Sequence, residues 1–139
     1  MDGGRIEEVT SDEGWDRALP VLQELWSDAD ESFVRSWRDE EDYRLFGRYV
    51  DGGLVGVVGV SVQRVVHHAR HAWIHDLVVT ESRRGAGHGA ALLSFVESWA
   101  RDRDCEYVAL ANRLGNESAL DFYEAEGMEA WGYVVETEL

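Results

Sequence analysis

The stretch Val78-Val79-Thr80-Glu81-Ser82-Arg83-Arg84-Gly85-Ala86-Gly87-His88-Gly89-Ala90-Ala91-Leu92-Leu93 constrains this chain more than any other. A β-branched run ends at Thr80, two arginines follow, and three glycines at alternate positions lead into an apolar helix start. Glycines let a backbone approach an anion closely, and a helix N-terminus offers unpaired N–H donors and the positive end of its dipole. Arg83 and Arg84 add full charge at the same place. The segment reads as a phosphate-binding loop between a strand and a helix, against the alternative of a glycine-rich turn that binds nothing.

Three phosphate ligands compete for such a loop. A Walker loop needs Lys-Ser/Thr after its last glycine, and this chain has no lysine. A dinucleotide fingerprint, Gly85-x-Gly87-x-x-Ala90, fits in letters. Its surroundings fit poorly, because no clear βαβ alternation precedes it and too little chain follows for a doubly wound domain. The third candidate is the pyrophosphate of coenzyme A. The pattern Arg84-x-x-Gly87-x-Gly89 after a strand closely resembles motif A of the GCN5-related N-acetyltransferases (GNAT family). Asn116-x-x-Ala119-x-x-Phe122-Tyr123-x-x-x-Gly127-Met128 resembles motif B of the same family, with Met128 where the family usually has Phe. The likeness covers Trp73 to about Tyr133, while the first 50 residues match only in general layout.

Bulk properties agree with one globular domain over residues 1–139, large enough for its own core. No stretch reaches the ~20 apolar residues of a membrane span, and no signal-peptide pattern opens the chain. The single cysteine, Cys105, excludes an internal disulfide, so a cytoplasmic location is expected. The net charge of −15 arises from 28 acids against 13 arginines, a balance similar to proteins that work in high salt and unfavourable for binding nucleic acid. Its distribution is uneven. Residues 1–42 hold 14 acids and 4 arginines, residues 101–139 hold 10 and 3, and residues 43–100 hold only 4 acids against 6 arginines. The one window that is not acidic contains the phosphate loop.

The residue pattern predicts a strand at Arg5–Val9 and a helix at about 13–27 with Pro20 near its first turns. A short helix from about Asp30 follows, then strands at Tyr43–Val50 and Leu54–Val62 and a loop at Gln63–Arg70. A strand at His71–Thr80 precedes the phosphate loop, and Leu92, Phe95, Val96 and Trp99 form the core stripe of the next helix. Tyr107–Leu110 reads as a strand, Glu117–Glu126 as a helix and Trp131–Thr137 as a final strand. This order suits the α/β (α+β) acyl-CoA acyltransferase fold that the resemblance implies, a twisted, mostly antiparallel sheet flanked by helices.

The resemblance also implies a reaction: direct transfer of an acetyl group from acetyl-CoA, the co-substrate, to a primary amine of a small molecule or peptide. The backbone of Leu77, Val78 and Val79 would pair with pantetheine, and Arg84, Gly85, Ala86, Gly87, His88, Gly89, Ala90 and Asn116 would complete the coenzyme site. Tyr123 occupies the position whose phenol faces the sulfur in many members and would protonate the leaving thiolate. His75 resembles a proton-relaying histidine of arylalkylamine acetyltransferases and would serve as base, with a water as the alternative. Asp76 would point to the opposite face of the strand. His67, His68, His71 and His75 suggest a metal, but His67, His71 and His75 would align only on a helix, the strand-like run from Trp73 argues against one, and no carboxylate or Cys completes a site, so no metal is expected. Family members are often dimers. A non-catalytic acyl-CoA-binding module and a nucleotide-binding regulator are the competing functions.

Overall fold

The computed structural model describes residues 4–65 and 68–139. The chain divides into two compact units, one up to Ala109 and one comprising Leu110–Leu139.

The first unit carries the sheet. Strand β1 (Gly4–Glu8) is followed by helix α1 (Asp12–Leu25), capped by Ser11, whose hydroxyl accepts from the Gly14 N–H. Pro20 is exposed in the interior of α1, not near its start, and the helix continues past it despite the lost N–H. Helix α2 (Glu31–Ser36) is capped by Asp30, which accepts from the Phe33 N–H at 2.9 Å. Strands β2 (Arg44–Val50), β3 (Gly53–Val65) and β4 (His68–Val79) form an antiparallel meander, and helix α3 (His88–Arg101) leads to β5 (Tyr107–Leu110). The spatial order is β1-β2-β3-β4-β5.

The predicted loop at Gln63–Arg70 is a correction. The two strands run on into it: Gln63 pairs with His71 and Val65 with His68, so Gln63–Val65 and His68–Arg70 are strand residues and not loop. Polar and charged residues at a hairpin end read as loop, yet ladder hydrogen bonds are indifferent to side-chain polarity. His67 and the side chain of His68 lie outside the described residues. Among the described residues no group of three His, Cys, Asp or Glu is placed to hold a metal, and no helix is long and apolar enough to cross a membrane.

Strand alternation sends neighbouring residues to opposite helical layers. Leu45 and Val57 join Trp15, Leu19, Leu22 and Val34 in the core under α1 and α2. Their neighbours face α3: the Phe46 ring lies 4.8 Å from Phe95, and a Cβ on Gly56 would press on Leu92. Leu92 and Val96 are fully buried, as the stripe predicts.

The second unit contains helix α4 (Glu117–Ala125). The predicted strand at Trp131–Thr137 is not formed, and Trp131, Tyr133, Val134 and Val135 are exposed. An alternating apolar pattern states that a segment suits a ladder; a strand exists only where a neighbour supplies the bonds.

Candidate active site

The chain leaves β4 at Val79 through a single 3-10 turn, Glu81–Arg83, and reaches α3 by way of Gly85 (φ +84°) and Gly87 (φ +85°). Those left-handed conformations are what the glycines provide. A Cβ at either position would meet nothing in the protein, so the space beside them is open. Gly87 is the N-cap of α3 and offers no side-chain acceptor. The first intrahelical bond is Ala91 N–H to Gly87 C=O at 3.0 Å, so the N–H groups of His88, Gly89 and Ala90 open the helix without a side-chain cap. Residues 81–87 are all exposed. The result is a set of donors at the positive end of a 14-residue helix, an arrangement that binds anionic oxygen.

Two side chains of this loop are already engaged. Arg84 donates through Nε to the Val79 carbonyl at 2.8 Å, and its other end lies 3.5 Å from Glu24. His88 turns its ring inward; it is 5% exposed, and the buried Arg48 donates through Nε to its Nδ1 at 3.4 Å. What His88 offers to the loop is its backbone N–H.

On β4 the ladder to β3 slips by one residue. Gly59 pairs with Asp76 and Val60 with Ile74, which leaves His75 as the extra residue of a β-bulge. On the other side, β5 joins β4 near its start, where the Glu106 N–H donates to the Arg70 carbonyl at 2.8 Å. The four-residue β5 is the neighbour of β4 in the sheet. Leu77, Val78 and Val79 pair with Val58, Val57 and Gly56 on the β3 side.

His75 is exposed, and its Nε2 lies 2.8 Å from the Ser61 hydroxyl. Packing around the ring penalises the imidazolium and lowers its pKa, so His75 is neutral near pH 7 and able to accept a proton. Asp76, beside it, is buried among neutral donors. Trp26 Nε1 donates to Oδ1 and the Tyr43 hydroxyl to Oδ2, each at 2.5 Å. Burial pushes the Asp76 carboxyl up to about 6, against the opposing pull of the two hydrogen bonds. Burial, and then the Asp76 charge, also raise the Tyr43 phenol. Around this pair the rings of Trp15, Trp26, Phe33, Trp37 and Tyr43 pack at 5.7–6.3 Å, and the Tyr43 ring lies 5.5 Å from the His75 ring.

In the second unit, Asn116 caps α4 by accepting from the Ala119 N–H at 3.3 Å. At the other end Gly127 (φ +94°) closes the helix: its N–H bonds Glu124 C=O, and the Met128 N–H bonds Tyr123 C=O at 3.0 Å. The motif B glycine is therefore a helix stop. Burial raises the Tyr123 pKa, which keeps the phenol protonated at neutral pH.

Sequence reasoning missed Ser61, Tyr43, Trp26 and Glu24. Their contacts span 14 to 57 residues along the chain, and no local pattern marks such pairs.

Comparison with known proteins agrees with the geometry. The profile of the family described as "Acetyltransferase (GNAT) family" matches residues 10–128. An aminoglycoside N(6')-acetyltransferase type 1 from Stenotrophomonas maltophilia is 29% identical over 118 residues, covering 80% of this chain and 77% of that protein. Among solved structures, AAC(6')-Iy in complex with the bisubstrate analogue CoA-S-monomethyl-acetylneamine superposes with a TM-score of 0.86 at 17% identity, covering 98% of this chain and 97% of that one. The aminoglycoside 6'-N-acetyltransferase AAC(6')-IG from Acinetobacter haemolyticus does so with a TM-score of 0.85 at 18% identity, covering 97% of both chains. The glycine loop, the bulged strand before it and the family profile across most of the chain converge: this protein belongs to the GNAT family of acetyl-CoA-dependent N-acetyltransferases.

Proposed function

We propose that residues 1–139 act as one catalytic domain that moves the acetyl group of acetyl-CoA directly to a primary amine of a cationic small molecule. The observation that carries this reading is the uncapped N-terminus of α3 behind two left-handed glycines, at the end of the bulged strand β4. The coenzyme pyrophosphate is bound by the N–H groups of Gly85–Ala90 and the charge of Arg84. Pantetheine lies along Leu77–Val79, where a backbone donor holds the thioester carbonyl and the oxyanion formed from it.

The amine nitrogen attacks the thioester carbon, the C–S bond breaks, and coenzyme A leaves as its thiol. His75, directly or through a water, takes the proton from the attacking nitrogen. Tyr123 gives one to sulfur. Its place at the sulfur, like that of Asn116 at the coenzyme, rests on the motif resemblance. The names of the relatives point to aminoglycosides as acceptors, and the acids between Asp28 and Asp42 favour a polycation over a neutral or acidic amine. Peptide amines are the second acceptor class, and a homodimer in the cytoplasm is the expected setting.

A thiol-release assay with acetyl-CoA against aminoglycosides, polyamines, amino acids and peptides, at low and molar salt, tests the proposal. Acetylation of an aminoglycoside or polyamine amine supports it. Tight coenzyme A binding without turnover on any amine leaves a binding module instead, and binding of ATP or NAD in place of coenzyme A overturns the ligand assignment.

A further inference from the structure

Helix α1 ends against its own dipole. Its last turn holds no basic residue and does hold Glu24, a negative charge where a helix favours a positive one. The compensation is tertiary. The Glu24 carboxylate gathers three donors from the short stretch that opens the phosphate loop. The Thr80 hydroxyl donates to Oε2 at 2.5 Å, the Glu81 N–H donates to Oε1 at 3.0 Å, and the Arg84 guanidinium lies 3.5 Å from Oε1. Arg84 is held from its other side by the Val79 carbonyl.

The loop needs such a tether. Every residue from Glu81 to Gly87 is exposed, so no buried side chain anchors the turn between the end of β4 and the start of α3. A loop left to find its bound shape charges that ordering to the affinity of its ligand. Glu24 supplies the order from α1, a helix of the opposite layer from α3, and it presents Arg84 beside the glycines.

We infer that Glu24 is a positioning residue for the coenzyme: it fixes the start of the phosphate loop and the direction of Arg84, without touching the reacting atoms. This rests on the reading of Gly85–Ala90 as the coenzyme site. Its negative charge repels a phosphate, so position and charge act in opposite senses, and the short bonds to Thr80 and Glu81 make position the larger effect.

The test is steady-state kinetics of Glu24→Ala and Glu24→Gln with acetyl-CoA, at low salt and in molar potassium chloride. For Glu24→Ala, KM for acetyl-CoA should rise about tenfold while kcat on a good acceptor stays within about twofold. Molar salt should not restore it, because a lost tether is not a screened charge. Glu24→Gln keeps one amide oxygen as acceptor and should recover part of the loss. Thr80→Val should raise KM in the wild type and add nothing in the Glu24→Ala background, since the two share one bond.

A wild-type KM in Glu24→Ala, or tighter binding in Glu24→Gln that salt abolishes, overturns the inference and leaves only charge repulsion. Equal losses in kcat and KM together with a lower melting temperature overturn it as well, in favour of a general structural role. Gly87→Val separates this failure from that of the site itself. If Gly87→Val weakens coenzyme A binding and Glu24→Ala does not, the tether alone is wrong. If neither does, the loop is not the coenzyme site.

Discussion

The Tyr43 hydroxyl donates a hydrogen bond of 2.5 Å to Oδ2 of Asp76, across 33 residues of sequence, and the residue that makes room for it is Gly59. Gly59 is paired with Asp76 in the ladder, immediately beside the bulge that displaces His75. The bond thus ties the chain just ahead of β2 to β4 at the point where β4 departs from regular geometry. Trp26, the C-cap of α1, closes the other side of the carboxylate.

A side chain at Gly59 should break this arrangement. A Cβ there would overlap both Tyr43 Oη and Asp76 Oδ2. Gly59→Ala should destabilise the protein by about 2–3 kcal/mol, overpacking plus the strained buried hydrogen bond. Urea denaturation at pH 7 measures it, and an unchanged midpoint would show that the pair yields at no cost.

Asp76 should make stability depend on pH. Its folded carboxyl titrates at about 6 against 3.8 in an ordinary setting, so the folded protein holds the proton more tightly than the unfolded chain. The stability from that difference is fully present below about pH 4 and is lost as pH rises through 6. Asp76→Asn removes the titration while its amide still serves both partners, accepting from Trp26 and donating to the Tyr43 oxygen. Relative to Asp76→Asn, the wild type should lose roughly 3 kcal/mol between pH 3.5 and 7.5. Parallel stability curves for the two proteins would contradict this.

The glycine loop should carry more of the coenzyme affinity than any one side chain. Gly87→Val places a branched side chain at φ +85° and fills open space beside the donors. Coenzyme A affinity by calorimetry should fall at least about tenfold, or about 1.4 kcal/mol. Arg84→Ala should cost less, and less still in high salt, where its charge is screened.

The proton relay should show in the pH–rate profile. Lowered by burial, the His75 pKa places the acidic limb below that of a free imidazole, with activity falling as His75 is protonated. His75→Ala should abolish that limb and recover in part at high pH, where the amine is already neutral. Tyr123→Phe should lower kcat about a hundredfold with little change in coenzyme A affinity. Wild-type kcat in both variants would leave water to move the protons and positioning to supply the rate.

The acidic surface should require salt. With a formal charge of −15, unscreened repulsion should lower the melting temperature below about physiological ionic strength, with recovery towards molar potassium chloride. A flat melting temperature across that range would remove the high-salt reading.

What depends on near neighbours is legible in the residues alone. Gly85, Gly87 and Gly89 allow close backbone approach to an anion, the spacing of Leu92, Phe95, Val96 and Trp99 requires a helix buried on one side, and Glu117–Glu126 reads as a helix. These are demands of backbone geometry and periodicity, satisfied within a few residues. The paired motifs were enough to identify the family and, with it, acetyl-CoA as the co-substrate. Which side chains meet is settled only once the chain is folded. The His88 ring in a glycine loop turns away from the loop because Arg48, 40 residues earlier, is there to bond it. Glu24 sits against its helix dipole because three donors converge on it from another layer. Trp131–Thr137 has the alternation of a strand and forms none, because a ladder needs a second partner that no local pattern can supply.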